Sequence, residues 1–153
     1  MRIIIIGGGA AGAKAAAKSK RLLPDADVHI YTKDTFVSYS SCGLPYYVAG
    51  DFEDWHKLIV RTKEEFEKSG INIHTEHQVT KILPADKKIL VKDLKLGVCN
   101  FVEYDKLIIA TGAAPFIPDI KNTGLKNIFT LRTLEDGINM RSAKYNNNRR
   151  RVY

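Results

Sequence analysis

The chain opens on Ile3-Ile4-Ile5-Ile6, an unbroken β-branched run of the kind that forms a strand buried in a parallel sheet. The run ends in Gly7-Gly8-Gly9-Ala10-Ala11-Gly12, and an alanine- and lysine-rich stretch from Ala13 to Lys20 follows, strongly helix-forming. Leu22-Leu23-Pro24-Asp25 closes that helix, because proline cannot continue it. Apolar and polar residues then alternate from Asp27 to Thr32 as a second strand. Residues 2–32 therefore read as one strand–helix–strand unit.

A loop from Lys33 to about Ser41 comes next. Gly43 to Gly50 reads as a short helix, with Pro45 in its first turn and Gly50 at its end. Thr62-Lys63-Glu64-Glu65 is a capping box that opens a helix to Ser69, and Gly70 stops it. Ile71–His74 is a third strand. His77–Leu83 and Ile89–Lys92 pair around Pro84-Ala85-Asp86-Lys87, Val98–Val102 is a weaker strand, and Tyr104–Ala110 is a buried one that ends at Thr111-Gly112. Thr133 caps a last helix through Ala143. The pattern predicts an α/β fold whose parallel sheet holds Ile3–Ile6, Val28–Thr32, Ile71–His74 and Leu107–Ala110. A small antiparallel insertion comes from about His77–Val102.

The chain has 153 residues, 44% of them hydrophobic, enough for one domain with a real core. No apolar run approaches the ~18 residues of a membrane span, and Met1-Arg2 before four isoleucines is too short for a secretory signal. A cytoplasmic location with no membrane partner is expected. Cys42 and Cys99 form no Cys-x-x-Cys, and His29, His56, His74 and His77 lack the i, i+4 spacing of a zinc pair, so no metal site is expected. The net charge of +7 gathers in Lys14, Lys18, Lys20 and Arg21 and in Arg149-Arg150-Arg151, behind Asn146-Asn147-Asn148. It fits a basic tail plus a solvated helix face, or an anionic ligand held on the first helix. With no RNA-binding aromatic motif and no helix-turn-helix pattern, no nucleic-acid partner is expected.

Gly7-x-Gly9-x-x-Gly12 stands between a strand and a helix, with a second strand on schedule. The first glycine permits a tight turn, the second lets a pyrophosphate approach the backbone, and the third packs helix on strand. The free N–H groups and positive dipole end of the helix would receive the phosphates. The acidic residue that holds a ribose about 20 positions on is not there. Thr32 stands at that point, with Asp34 two residues further, and either serves. Cys42 precedes the short helix that Pro45 begins, where a positive helix end favours the thiolate; the plain alternative is a buried small hydrophobe.

Ser38-Tyr39-Ser40-Ser41-Cys42-Gly43-Leu44-Pro45-Tyr46-Tyr47 resembles the redox-active segment of single-cysteine flavoprotein disulfide reductases. These belong to the FAD-dependent pyridine nucleotide-disulfide oxidoreductases, and the coenzyme A disulfide reductase branch is the nearest in pattern. Ile3 through Gly12 is similar to that family's FAD loop, and Tyr104 through Ala113 to its second flavin-binding strand. Phe129-Thr130-Leu131-Arg132-Thr133-Leu134-Glu135-Asp136 is similar to the segment leading towards the NAD domain. The resemblance runs over about residues 1–143.

The resemblance implies a Rossmann-like, three-layer FAD-binding domain. It also implies a reaction in which NAD(P)H reduces FAD and the flavin passes electrons to Cys42, the catalytic residue. Cys42 has no second cysteine four or five residues away, so it cycles through a mixed disulfide with a small thiol or through a sulfenic acid. FAD contacts fall to Gly7, Gly8, Gly9, Ala10, Ala11, Gly12, Thr32, Lys33, Cys42, Val79, Ala110, Thr111, Gly112, Ala113 and Arg132. Val79 is otherwise a plain strand residue, and Arg132 a surface arginine. Coenzyme A, or another small thiol or disulfide, would lie along Lys14, Lys18 and Arg21, with Ser38 and Ser41 beside the cysteine. Lys14, Lys18 and Arg21 share one helical face, which also suits a solvated face. The coenzyme A branch commonly has asparagine where this chain has Ser41. The NADH oxidase or peroxidase branch, whose acceptor is oxygen or peroxide, has a histidine where this chain has Ala10.

In the family, an NAD(P)H-binding domain, a completing flavin segment and a C-terminal domain that forms a homodimer follow. The reading is thus of a truncated piece: residues 1–145 as an incomplete FAD-binding domain, and 146–153 as a basic tail at the junction with a missing NAD(P)H domain. Exposed apolar surface is expected where missing parts would pack. The alternative from another class is a non-catalytic remnant that binds FAD or coenzyme A weakly, or only a partner protein. Cys99 is read as structural, hidden in an apolar strand.

Overall fold

A computed structural model describes residues 1–125 and 128–149; Arg150-Arg151-Val152-Tyr153, the end of the expected basic tail, lies outside the described residues. The chain groups into two units, residues 1–39 with 60–112, and residues 40–59 with the chain from 113 onward.

The first unit is built on a four-stranded sheet of order β3-β2-β1-β7, made of β1 (Arg2–Ile6), β2 (Asp27–Tyr31), β3 (Ile71–His74) and β7 (Lys106–Ile109). Every pairing is parallel: Ile3 sits opposite Val28 on one side and Lys106 on the other, and Val28 opposite Ile71. The β1 run does not alternate because both of its faces are covered. Ile3 and Ile5 join Val28, Ile30, Ile71 and Ile73 under α1 (Ala10–Leu22) and α3 (Lys63–Lys68), whose Ala13, Ala16 and Phe66 complete that core. Ile4, Ile6 and Tyr31 face the other way, onto Ile89 and Val91. Those two residues lie on β5 (Lys88–Asp93), the middle strand of an antiparallel sheet with β4 (His77–Leu83) and β6 (Cys99–Glu103). The result is three layers: helices, parallel sheet, antiparallel sheet. The fold is the one expected from the pattern, with one difference: β7, expected to be buried, is the outer strand beside β1, its residues half-buried or exposed and Ile109 at 62% exposure.

Local chemistry sets the boundaries. Thr62 Oγ1 accepts from the Glu65 N–H at 3.3 Å and Glu65 Oε2 accepts from the Thr62 N–H at 2.8 Å, the reciprocal cap expected for α3. Helix α1 has no acidic residue in its first turn, and carries Lys20 and Arg21 in its last, where cations suit the dipole. Strand β6 corrects one expectation. It is paired on one side only and mostly faces outward, so Cys99 at its start is exposed rather than buried in apolar surroundings.

The second unit packs α2 (Leu44–Ala49) with α4 (Leu134–Arg149). Leu44, Tyr47 and Leu134 are buried, and so is Arg141. The Arg141 guanidinium donates to the carbonyls of Tyr47 (2.9 Å) and Phe52, and lies 4.6 Å over the Tyr47 ring. Thr133 Oγ1 accepts from the Asp136 N–H at 3.2 Å, the cap expected at that end. The helix runs on to Arg149, past the expected stop at Ala143, because nothing between Ala143 and Arg149 is glycine or proline. Between Ala113 and Thr133, large apolar side chains stand in the open, Phe116 at 88% exposure with Ile117 and Ile120. Among the described residues, no helix is long and apolar enough to cross a membrane.

Candidate functional site

One group of candidate residues lies at the carboxyl ends of β1, β2 and β7, in the first unit. Gly7 has φ +112°, and a Cβ there would meet the Ala110 carbonyl oxygen at 2.2 Å. The Ala110 N–H donates to the Ile6 carbonyl at 2.8 Å, so the glycine turn and the start of Ala110-Thr111-Gly112 are pressed backbone to backbone. A Cβ on Gly12 would lie 1.9 Å from the Gly7 carbonyl oxygen, which is how α1 comes down onto the strand. Gly8 is buried, and a Cβ there would meet Val37 Cγ1 at 2.8 Å and Thr32 Cγ2 at 3.2 Å.

Gly9 differs from the others. Its backbone is ordinary extended (φ −73°, ψ −173°), and a Cβ there would meet nothing within 4 Å. Nothing inside the chain requires glycine at this position. It stands at the N-cap of α1 without a side chain to cap it, in front of exposed Ala10 and Ala11. Helix geometry leaves the N–H groups of Ala10, Ala11 and Gly12 without an intrahelical partner. An open, uncapped start to a 13-residue helix, at the carboxyl edge of a parallel sheet, fits the pyrophosphate of a dinucleotide such as FAD.

The adenosine-side candidates are placed unequally. Thr32 is buried, its hydroxyl accepts from the Asp34 N–H at 3.3 Å, and its methyl lies under Gly8. Asp34 is half-buried, Lys33 is exposed, and Val79 is a β4 residue opposite Val91 beside a bulge. Thr111 and Gly112 are exposed. Lys14, Lys18 and Arg21 are all exposed along α1. Ser38 is buried with φ +48°; its N–H donates to the Gly8 carbonyl at 2.9 Å and its carbonyl accepts from Val60 at 2.8 Å.

The second unit carries Ser41, Cys42, Ala113 and Arg132. A 3-10 turn, Ser41–Gly43, leads directly into α2, with Cys42 and Ser41 exposed. The Ser40 hydroxyl lies 3.2 Å from Cys42 Sγ, a contact that sequence reasoning missed because a spacing of two belongs to no regular pattern of the expected short helix. Arg132 Nε donates to the Ala113 carbonyl at 2.9 Å, joining two of the expected residues.

Three of the four histidines also come together, although far apart in sequence. His29 Nδ1 and His74 Nε2 are 2.9 Å apart, and His29 Nε2 is 2.7 Å from Asp27 Oδ1. A carboxylate only accepts, so His29 Nε2 carries a proton, and in the neutral ring Nδ1 then accepts from His74. His74 stacks on Tyr31 with ring centroids 4.3 Å apart, and His77 Nε2 lies 3.6 Å from Asp93. Burial, then the neighbouring His29 and His77, push His74 down to about 4. The hydrogen bond from Arg2 holds Asp27 below the ordinary carboxylate range. Among the described residues, no group of His, Cys, Asp and Glu is arranged to hold a metal ion.

A glycine-built turn between the first strand of a parallel sheet and a long uncapped helix defines an α/β dinucleotide-binding protein. The chain belongs to the Pyridine nucleotide-disulphide oxidoreductase family, whose profile matches residues 1–152. It is similar to the NADH oxidase of Methanocaldococcus jannaschii, 38% identical over 138 residues, which is 90% of this chain and 31% of that protein. The coenzyme A disulfide reductase of Staphylococcus epidermidis is 32% identical over 136 residues, 88% of this chain and 30% of that protein. Among solved structures, reduced Bacillus anthracis CoADR-RHD matches with a TM-score of 0.93 at 30% identity, covering 96% of this chain and 27% of that one. The chain thus spans about 30% of the length of the curated relatives it matches.

Proposed function

We propose that this chain is the FAD- and cysteine-bearing part of an NAD(P)H-dependent flavoprotein that reduces coenzyme A disulfide or a related small disulfide or polysulfide. The observation that carries the reading is the open start of α1 at Gly9, where glycine serves no internal purpose. The N–H groups of Ala10, Ala11 and Gly12 hold the pyrophosphate, and Thr32, Lys33 or Asp34 meet the adenosine side. Val79, Ala110-Thr111-Gly112-Ala113 and Arg132 complete the contacts. FAD, when bound, supplies the two-electron carrier between NAD(P)H and the thiol.

Cys42 is the nucleophile. Its thiolate attacks one sulfur of the substrate disulfide: a Cys42–substrate S–S bond forms, the substrate S–S bond breaks, and the other half leaves as a thiolate. Two electrons and a proton then return the Cys42 thiolate and a second free thiol. Lys14, Lys18 and Arg21, exposed on α1, are assigned to the phosphates of coenzyme A, and Ser41 to its thiol end. Ser38 is buried, so its part is to anchor the loop through its backbone. The whole protein is taken to work in the cytoplasm as a homodimer.

A second reading is favoured by the NADH oxidase name of the relative at 38% identity. There oxygen or peroxide is the acceptor, and Cys42 passes through a sulfenic acid. Neither reading is separated from the other by the flavin test, which decides between both and a non-catalytic remnant. FAD added to the purified chain is expected to lose fluorescence in proportion to protein. Gly9→Val is expected to abolish this while leaving the chain cooperatively folded with at most a small drop in melting temperature, because a Cβ there meets nothing within 4 Å and the only cost is a poorer N-cap residue. Equal flavin binding by Gly9→Val, or none by the native chain, sinks the assignment.

A further inference from the structure

We propose that Ser40 is a catalytic residue of the Cys42 chemistry, its hydroxyl hydrogen-bonding the reacting sulfur in both protonation states. The proposal rests on the reading of Cys42 as the nucleophile. The Ser40 Oγ to Cys42 Sγ distance is 3.2 Å, inside the range for a bond to sulfur. The serine backbone is fixed on both sides: its N–H donates to the Leu58 carbonyl at 2.8 Å, and its carbonyl accepts from the Gly43 N–H at 3.1 Å. Gly43 keeps room for this arrangement. A Cβ there would collide with Leu58 Cδ2 at 2.4 Å and stand 3.5 Å from the Ser40 hydroxyl.

A hydroxyl is both donor and acceptor. It accepts from the thiol S–H and, after that proton leaves to solvent, turns to donate to the thiolate. A bond to the charged sulfur is the stronger of the two, so the pairing favours the attacking form. Cys99 provides the contrast, an exposed thiol on an outer strand of the antiparallel sheet. Ser40 thus gives the cysteine turn a polar partner that does not depend on the dipole of a six-residue helix.

The test is alkylation of the whole chain by iodoacetamide at pH 6 and pH 9.5, with each thiol followed by mass mapping. At pH 6 Cys42 is expected to react faster than Cys99. Ser40→Ala should slow Cys42 about three- to tenfold at pH 6, leave Cys99 unchanged and converge on the native rate at pH 9.5. Ser40→Thr, which keeps the hydroxyl, should restore the native rate. A native Cys42 no faster than Cys99 overturns the nucleophile reading and this proposal with it. A faster native Cys42 that is indifferent to Ser40→Ala, or slowed equally at both pH values, overturns this proposal alone.

Discussion

The glycine loop and the cysteine turn are both uncapped helix starts built around glycine, yet they are held in different ways. At the loop, Gly12 and Gly7 are fixed by backbone: any Cβ meets a carbonyl oxygen at 1.9 or 2.2 Å, and carbonyls in a strand-to-helix turn cannot move aside. The helix behind it has 13 residues, long enough for aligned peptide dipoles to matter at its start. At the cysteine turn, Gly43 is crowded by the end of the Leu58 side chain, and the helix behind it has six residues. The first is a turn set by main-chain contacts, and what it offers a ligand is main-chain N–H groups. The second is a side-chain arrangement, in which Ser40 and Cys42 carry the polarity.

Substitution should separate the two. Gly12→Ala is expected to cost about 3 kcal/mol or more, because no rotamer change relieves a clash with backbone. Gly43→Ala should cost about 1–2 kcal/mol, since Leu58 can rotate away. Urea unfolding followed by circular dichroism reads both, and equal midpoints for the two variants would remove the distinction. A smaller effect concerns pH. The Thr32 N–H donates to the His74 carbonyl at 3.0 Å and the His77 N–H to the Thr32 carbonyl at 2.8 Å, so the floor of the glycine loop is tied to the histidine cluster.

His74 sits at about 4 in the folded chain against an ordinary 6.5, so the unfolded chain binds more protons between these values. Stability is therefore full above about pH 6.5 and is lost as pH falls towards 4. Discounted for the partial exposure of His74, the loss is about 1–2 kcal/mol. His74→Phe keeps a ring on Tyr31 and takes no proton. Its urea midpoint should change less between pH 7 and 4.5, and an unchanged slope would locate the acid sensitivity elsewhere.

The strand–helix–strand opening was legible because each of its signals is local: four isoleucines, then glycines, then alanines. The capping box at Thr62 and the cap at Thr133 were legible for the same reason. What escaped depends on distant pairing. The histidine cluster forms only because β2 lies parallel to β3, which sets His29 beside Asn72 and brings His74 within reach. The exposure of Cys99 follows from β6 being an outer strand, which nothing in Cys99-Asn100-Phe101-Val102 announces. The 3-10 turn at Trp55–Leu58 was missed too, because its cap, the Asp54 carboxylate accepting from the His56 N–H, opens no apolar periodicity.

The central position of β1 has a consequence for how the chain is made. Its neighbour β7 arrives late: the Arg2 N–H meets the Asp105 carboxylate at 2.6 Å across 103 positions of sequence. At about 5–20 residues per second, a ribosome needs roughly 5–20 s to supply that partner. Until then one edge of the isoleucine strand has no ladder, while the β4–β5 hairpin, turned locally, is already available to cover a face of it. Nascent chains stalled before Lys106 should therefore be cut by protease near Ile3–Ile6, and those carrying residues through Ala110 clear of the exit tunnel should resist. The isoleucine strand is thus synthesised well ahead of the strand that completes its pairing.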